Sequence, residues 1–100
     1  MEEWSIKQWQ TYASSADITA FYLYTPMCGT CAVASKMMDV VVELLPNVPI
    51  GMANINYTNN LAFDLEIESV PCLLITKDGK VTEKVYAFQS VTNLYAILKK

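Results

Sequence analysis

The sequence predicts an α/β fold: a mixed, central four-stranded sheet flanked by helices on both faces. Three observations carry this. Short apolar, strand-forming runs alternate with segments whose apolar residues recur at helical spacing. The first two strands are separated by one long helix, and a right-handed crossover makes them parallel. The last two are joined only by Lys77-Asp78-Gly79-Lys80, whose Asp-Gly pair marks a tight antiparallel hairpin. A chain of 100 residues is sized for one domain, taken as 1–100.

The elements follow in order. Ser5 can cap a first helix, Gln8 can complete a capping box, and Trp4 and Trp9 then hold the two positions of a hydrophobic staple. Ile6, Trp9, Tyr12 and Ala13 share one face, so both tryptophans are read as staple and core. Ile18 to Thr25 is rich in strand formers without clean alternation, as expected of a central strand buried on both faces; Pro26 ends it. A long helix is predicted from Met27 or Cys28 to Leu45, stopped by Pro46. Its expected buried stripe is Val33, Met37, Val40, Val41, Leu44 and Leu45, with Met37 and Met38 as core filler.

Ile50 to Asn56 is the second predicted strand. Thr58-Asn59-Asn60 should cap a short helix carrying Leu61, Phe63, Leu65 and Ile67. Pro71 to Thr76 and Val81 to Tyr86 are the strands of the hairpin. Ser90 should cap a last helix with Val91, Leu94, Ile97 and Leu98 inward and Lys99-Lys100 at its negative end.

Composition narrows the function. The chain is 53% hydrophobic and 17% charged, which suits a packed globule rather than a disordered segment. A net charge of −3 argues against nucleic acid or an anionic membrane as partner. Histidine is absent, which removes histidine-based catalysis and disfavours most transition-metal sites. Glu2, Glu3, Lys7, Gln8, Gln10 and Asp17 leave no room for a signal-peptide apolar stretch, and Ala20 to Tyr24 is too short to cross a bilayer. A cytoplasmic monomer is expected.

The chemistry lies in the cysteines. Cys28, Cys31 and Cys72 are too few, and odd in number, for a secreted disulfide scaffold. Cys28-Gly29-Thr30-Cys31 follows a strand at the start of a helix, where free N–H groups and the positive end of the dipole stabilise a thiolate. The spacer brings Cys31 back within disulfide reach. Cys28 should therefore be the exposed attacking thiol, and Cys31, one turn in, the shielded resolving thiol. Gly29 leaves the approach open. Thr30 either turns its hydroxyl toward a sulfur or points into solvent. Zinc would need four ligands, and one spare cysteine cannot complete the set, so no metal is expected.

Two segments carry a resemblance. Phe21-Tyr22-Leu23-Tyr24-Thr25-Pro26-Met27-Cys28-Gly29-Thr30-Cys31 resembles the active-site segment of the thioredoxin family. Ser69-Val70-Pro71-Cys72-Leu73-Leu74-Ile75 resembles that family's cis-proline segment, followed by the hairpin at 77–80. The similarity spans roughly residues 18–100 and implies a thioredoxin-like fold. It further implies a cis Val70–Pro71 bond, Pro71 beside the two sulfurs, and a peptide groove involving Met27, Val70, Pro71 and Ala87. The implied activity is reduction of disulfide-containing protein substrates by a Cys28–Cys31 redox couple, recharged by an unidentified reductase and needing no other cofactor. The alternative is a partner-binding module on the same fold without turnover.

Departures from the family pattern modulate this. Met27 stands where a tryptophan is usual, Ala87 where a glycine is usual, Tyr22 where a buried aspartate is usual, and Met52 where its lysine partner is usual. That acid is thought to help deprotonate the second cysteine, so slow resolution is expected. Cys72 is either a third redox thiol or a small buried hydrophobe.

Overall fold

The computed structural model describes residues 1–58 and 60–99. Its elements are β1 (Glu2–Glu3), α1 (Ile6–Ser15), β2 (Ile18–Tyr24), α2 (Gly29–Leu44), β3 (Ile50–Asn54), a 3-10 turn (Ile55–Tyr57), α3 (Leu61–Asp64), β4 (Cys72–Lys77), β5 (Lys80–Val85) and α4 (Val91–Leu98). The strands form one mixed sheet in the order β1-β3-β2-β4-β5. β1 and β2 run parallel to β3, while β4 runs antiparallel to both β2 and β5.

The sheet thus has five strands rather than four. The added one pairs Glu2 with Gly51 and Glu3 with Met52. Two charged residues carry no strand pattern. What holds them is the next residue: the Trp4 N–H donates to the Met52 carbonyl at 2.8 Å, and its indole lies over Gly51. A strand this short also blunts the edge that β3 would otherwise present.

β2 is the centre, and its side chains alternate between two cores as strand geometry requires. Ala20 and Tyr22 face α2 and α4 among Ala34, Met38, Val41, Leu73, Leu94 and Leu98. Phe21 and Leu23 face the other way, among Trp4, Trp9, Leu61, Cys72 and Leu74. The capping box of α1 forms as expected: Gln8 N–H donates to Ser5 Oγ at 3.1 Å, and Ser5 N–H to Gln8 Oε1 at 2.8 Å. Trp4 and Trp9 pack on Phe21 with ring centres 5.9 and 5.4 Å away.

Three expectations are corrected. The buried face of α2 is Cys31, Ala34, Met38 and Val41, whereas Val33, Val40 and Leu44 stay 58%, 45% and 51% exposed. Apolar residues surround this helix, so periodicity alone does not set its rotation about its axis. The Asn54 side chain accepts from Asn56 N–H at 3.0 Å and turns the chain into the 3-10 segment, ending β3 earlier than predicted. α3 is a single turn in which Leu61 is buried and Phe63 exposed; Asn60 makes no side-chain cap, and Asn59 lies outside the described residues.

The hairpin is as predicted. Asp78 and Gly79 have φ of 54° and 83°, the pair of left-handed residues of a type I′ turn. Ser90 caps α4 by accepting from Asn93 N–H at 3.0 Å, with Leu94 and Leu98 fully buried. Lys99 N–H donates to Tyr95 O at 2.9 Å, while Lys100 lies outside the described residues. Among the described residues, no helix is long and apolar enough to cross a membrane.

Candidate active site

The central strand delivers the cysteine motif. After Tyr24 the chain turns through Thr25, Pro26 and Met27, and Cys28 N–H closes the turn onto Thr25 O at 3.3 Å. Cys28 is itself the N-cap of α2, and its sulfur accepts from Cys31 N–H at 3.2 Å. That bond satisfies one of the N–H groups a helix start leaves free. Thr30 Oγ1 lies 3.3 Å from the same sulfur, so of the two readings of Thr30 the hydroxyl-to-sulfur one matches the structure. The Cys28 S–H points at the Val70 carbonyl, 3.7 Å away.

The two thiols are polarised in opposite directions. Hydrogen bonding from the Cys31 side chain, and then from Thr30, holds the Cys28 pKa below its ordinary value. Burial, and then the Cys28 sulfur, pushes that of Cys31 up. Cys28 is partly exposed and Cys31 buried, and all three cysteines are free.

The Val70–Pro71 peptide is cis. Val70 and Pro71 line a groove of about 480 Å³ with Thr30, Val33, Ala87 and Phe88. Met27 is 94% exposed and stands outside that wall. Gly29 faces open space: a Cβ there would meet nothing within 4 Å beyond its chain neighbours. A larger hollow of about 980 Å³ lies between Phe63, Glu68, Lys84 and Tyr86, and no cysteine lines it.

Behind the motif, Tyr22 is fully buried. Its hydroxyl donates to the Cys31 carbonyl at 2.9 Å and lies 2.9 Å from Ser35 Oγ. Burial pushes its pKa up to about 12, so it keeps its proton at neutral pH. Met52 stands directly opposite on β3. Ser35 belongs to no sequence motif; its only signal is its place one helical turn after Cys31. Cys72 is buried against Phe21 and Leu23 on the other side of the sheet, and burial raises its pKa to about 12. This environment matches the small-hydrophobe reading. Among the described residues, no group of three or more His, Cys, Asp or Glu could hold a metal ion.

The protein-family model described as Thioredoxin matches residues 2–100. The chain belongs to the thioredoxin family. The match begins upstream of the segment that carried the sequence resemblance and takes in β1 and α1. Membership places the chain among thiol–disulfide oxidoreductases in general.

Among curated relatives, the chain is 51% identical to "Thioredoxin-like protein YusE" of Bacillus subtilis over 84 residues, 84% of this chain and 79% of the relative. It is 35% identical to a thioredoxin of Staphylococcus saprophyticus over 78 residues, 73% of this chain and 71% of that one. Among solved structures, a mutant thioredoxin from Halobacterium salinarum superposes with a TM-score of 0.86 at 18% identity, covering 98% of this chain and 86% of that one. At that identity the superposition speaks for the fold alone.

Proposed function

We propose that this chain reduces disulfides in protein substrates by dithiol–disulfide exchange, with Cys28 attacking and Cys31 resolving. The observation that carries the reading is the contrast between the two thiols. Cys28 is accessible, caps a helix and is held toward its thiolate; Cys31 is buried and held toward its thiol. Thiolate is the nucleophile, so the first attack falls to Cys28.

The reaction balances as two exchanges. The Cys28 thiolate attacks one sulfur of the substrate disulfide. A Cys28–substrate bond forms, the substrate S–S bond breaks, and the departing sulfur leaves as a thiolate that takes a proton from solvent. Cys31, after losing its proton to solvent, attacks Cys28 Sγ. The Cys28–Cys31 bond forms, the Cys28–substrate bond breaks, and the second substrate sulfur leaves as a thiolate. The substrate gains two electrons and the protein dithiol loses them. A separate reductase must return them.

The groove beside Cys28 supplies the binding surface in this reading, with Val70, Pro71 and Ala87 in its wall and Met27 exposed nearby. Gly29, Thr30 and Tyr22 modulate the thiols, and Cys72 stays out of the chemistry. Cys28 and Cys31 are the only redox group required, acting in a cytoplasmic monomer. Resolution is slow because, among the described residues, no buried carboxylate serves Cys31: a Tyr22 phenol at about 12 is a poor base at neutral pH.

The test is turnover of a disulfide-bonded reporter protein with dithiothreitol as the electron source. Reduction faster than by dithiothreitol alone, lost on Cys28→Ser, is expected. No acceleration, with the protein folded and its thiols reduced, would favour the partner-binding alternative.

A further inference from the structure

Tyr22, Ser35 and Cys31 meet beneath the cysteine turn. The phenol ring is fully buried, packed against Tyr24 with ring centres 5.9 Å apart and Phe88 at 5.8 Å. Its hydroxyl has two partners at 2.9 Å, the Cys31 carbonyl and Ser35 Oγ. Valence assigns the protons. A carbonyl only accepts, so the single phenol proton goes to Cys31 and Ser35 donates to the phenol oxygen. A helical serine has a second choice, because its hydroxyl can turn to the carbonyl four residues earlier. For Ser35 that carbonyl is Cys31 O, the acceptor Tyr22 already uses. When Ser35 takes the carbonyl, the Tyr22 proton is released for the sulfur of the same residue.

We propose that Tyr22 donates a hydrogen bond to the Cys31 sulfur as that thiol ionises, and that Ser35 is the positioning residue that takes over the Cys31 carbonyl. The inference rests on the reading of Cys31 as the resolving thiol and deepens it: a buried donor does part of the work of the missing base by stabilising the thiolate product of deprotonation.

The surroundings suit a donor. Tyr22 with a pKa of about 12 holds its proton across the neutral range. Its hydroxyl lies where it can draw the Cys31 pKa down, against the larger upward push of burial and of Cys28. The titratable groups set against it are Cys28 at the N-cap of α2, Cys31 on α2 and Tyr24 on β2, whose own hydroxyl is donated to Glu3 of β1 at 2.7 Å. Met52 on β3, Leu73 on β4 and Phe88 after β5 carry no charge toward it.

The experiment loads Cys28 with thionitrobenzoate and follows release of the chromophore by stopped flow, from about pH 6 to pH 10, across the ordinary thiol range. Tyr22→Phe keeps the ring and removes the donor. It is expected to move the midpoint of the rate profile up by about one pH unit, an approximately tenfold loss of rate at pH 7. Ser35→Ala should move it the same way by less, and Ser35→Thr should restore it. A purely structural role would lower rate or stability without moving the midpoint. An unmoved midpoint in folded Tyr22→Phe overturns the inference. If that variant does not fold, Ser35→Ala decides, and an unmoved midpoint there overturns it equally. Release as slow in the wild type as in Cys31→Ser would instead remove the resolving assignment, and the inference with it.

Discussion

Restoring the family's usual aspartate at position 22 should damage this protein rather than repair it. Tyr22 is wholly buried in the core shared by β2, α2 and α4, with its hydroxyl donating to the Cys31 carbonyl and paired with Ser35 Oγ. Replacing a buried aromatic by a small residue costs about 3–5 kcal/mol. The carboxyl adds its own penalty, several kcal/mol if ionised without a partner, because the residue opposite is Met52 and not a cation. A total of about 5 kcal/mol or more threatens a domain whose whole stability is of order 5–15 kcal/mol. With a urea dependence of about 1–3 kcal/mol per molar, the Tyr22→Asp midpoint should fall by about 2 M or more. The sign with pH is also fixed. Without a cation, the carboxyl is held neutral, its folded pKa above the unfolded value of about 3.9. Stability is then fullest below that value and is lost as pH rises toward the folded pKa, by up to about 1.4 kcal/mol per unit. Adding Met52→Lys in the opposed register should recover about 1 kcal/mol or more at pH 8. Urea titrations followed by Trp4 and Trp9 fluorescence, at pH 5 and pH 8, measure all three effects. A Tyr22→Asp protein within about 1 kcal/mol of wild type, with no pH dependence, would refute the reasoning.

Two other outcomes follow from burial. Gly51→Ala would drive a methyl into the Trp4 indole, a ring already stacked on Tyr12 at 4.7 Å, so it cannot be accommodated by a small shift. A loss near the upper end of the usual 1–3 kcal/mol for overpacking is expected, seen as a fall in Tm of roughly 10 °C or more, and an unchanged Tm would show that the β1 edge is loosely held. Cys72 should resist alkylation in the native protein at pH 8 and react once unfolded in urea; rapid native labelling would contradict its burial. Its thiol rises from 9.0 to about 12 in the fold, so the folded state holds a proton that the unfolded chain releases, and stability should fall as pH rises from about 9, by up to about 1.4 kcal/mol per unit. Cys72→Ala should remove part of that slope between pH 9 and 10, below the range where Tyr22 contributes.

The parts of this fold written in local chemistry were legible. Ser5 and Gln8 name a capping box, Asp78-Gly79 names its turn, and the apolar run at 18–25 names the central strand; each depends on neighbours in sequence. The cysteine pair was legible for the same reason, since its partners Thr30 and the Cys31 N–H lie within one turn. What escaped depends on tertiary contact. Glu2–Glu3 is a strand only because Trp4 seats on Gly51, far along the chain. Val33 and Val40 read as core, yet the rotation of α2 is set by Cys31, Ala34 and Met38 meeting the sheet. Ser35 belongs to the site through a phenol thirteen positions away on another element, and no motif records such a pairing.

The account turns on which thiol is the nucleophile. The direct measurement is the rate of iodoacetamide alkylation of each cysteine against pH, at low dose, read by peptide mass mapping of the reduced native protein. Cys28 should be labelled first, with its rate inflecting below the ordinary 9.0, while Cys31 and Cys72 lag at every pH up to 9. Labelling of Cys31 ahead of Cys28, or a Cys28 inflection at or above 9.0, would contradict it.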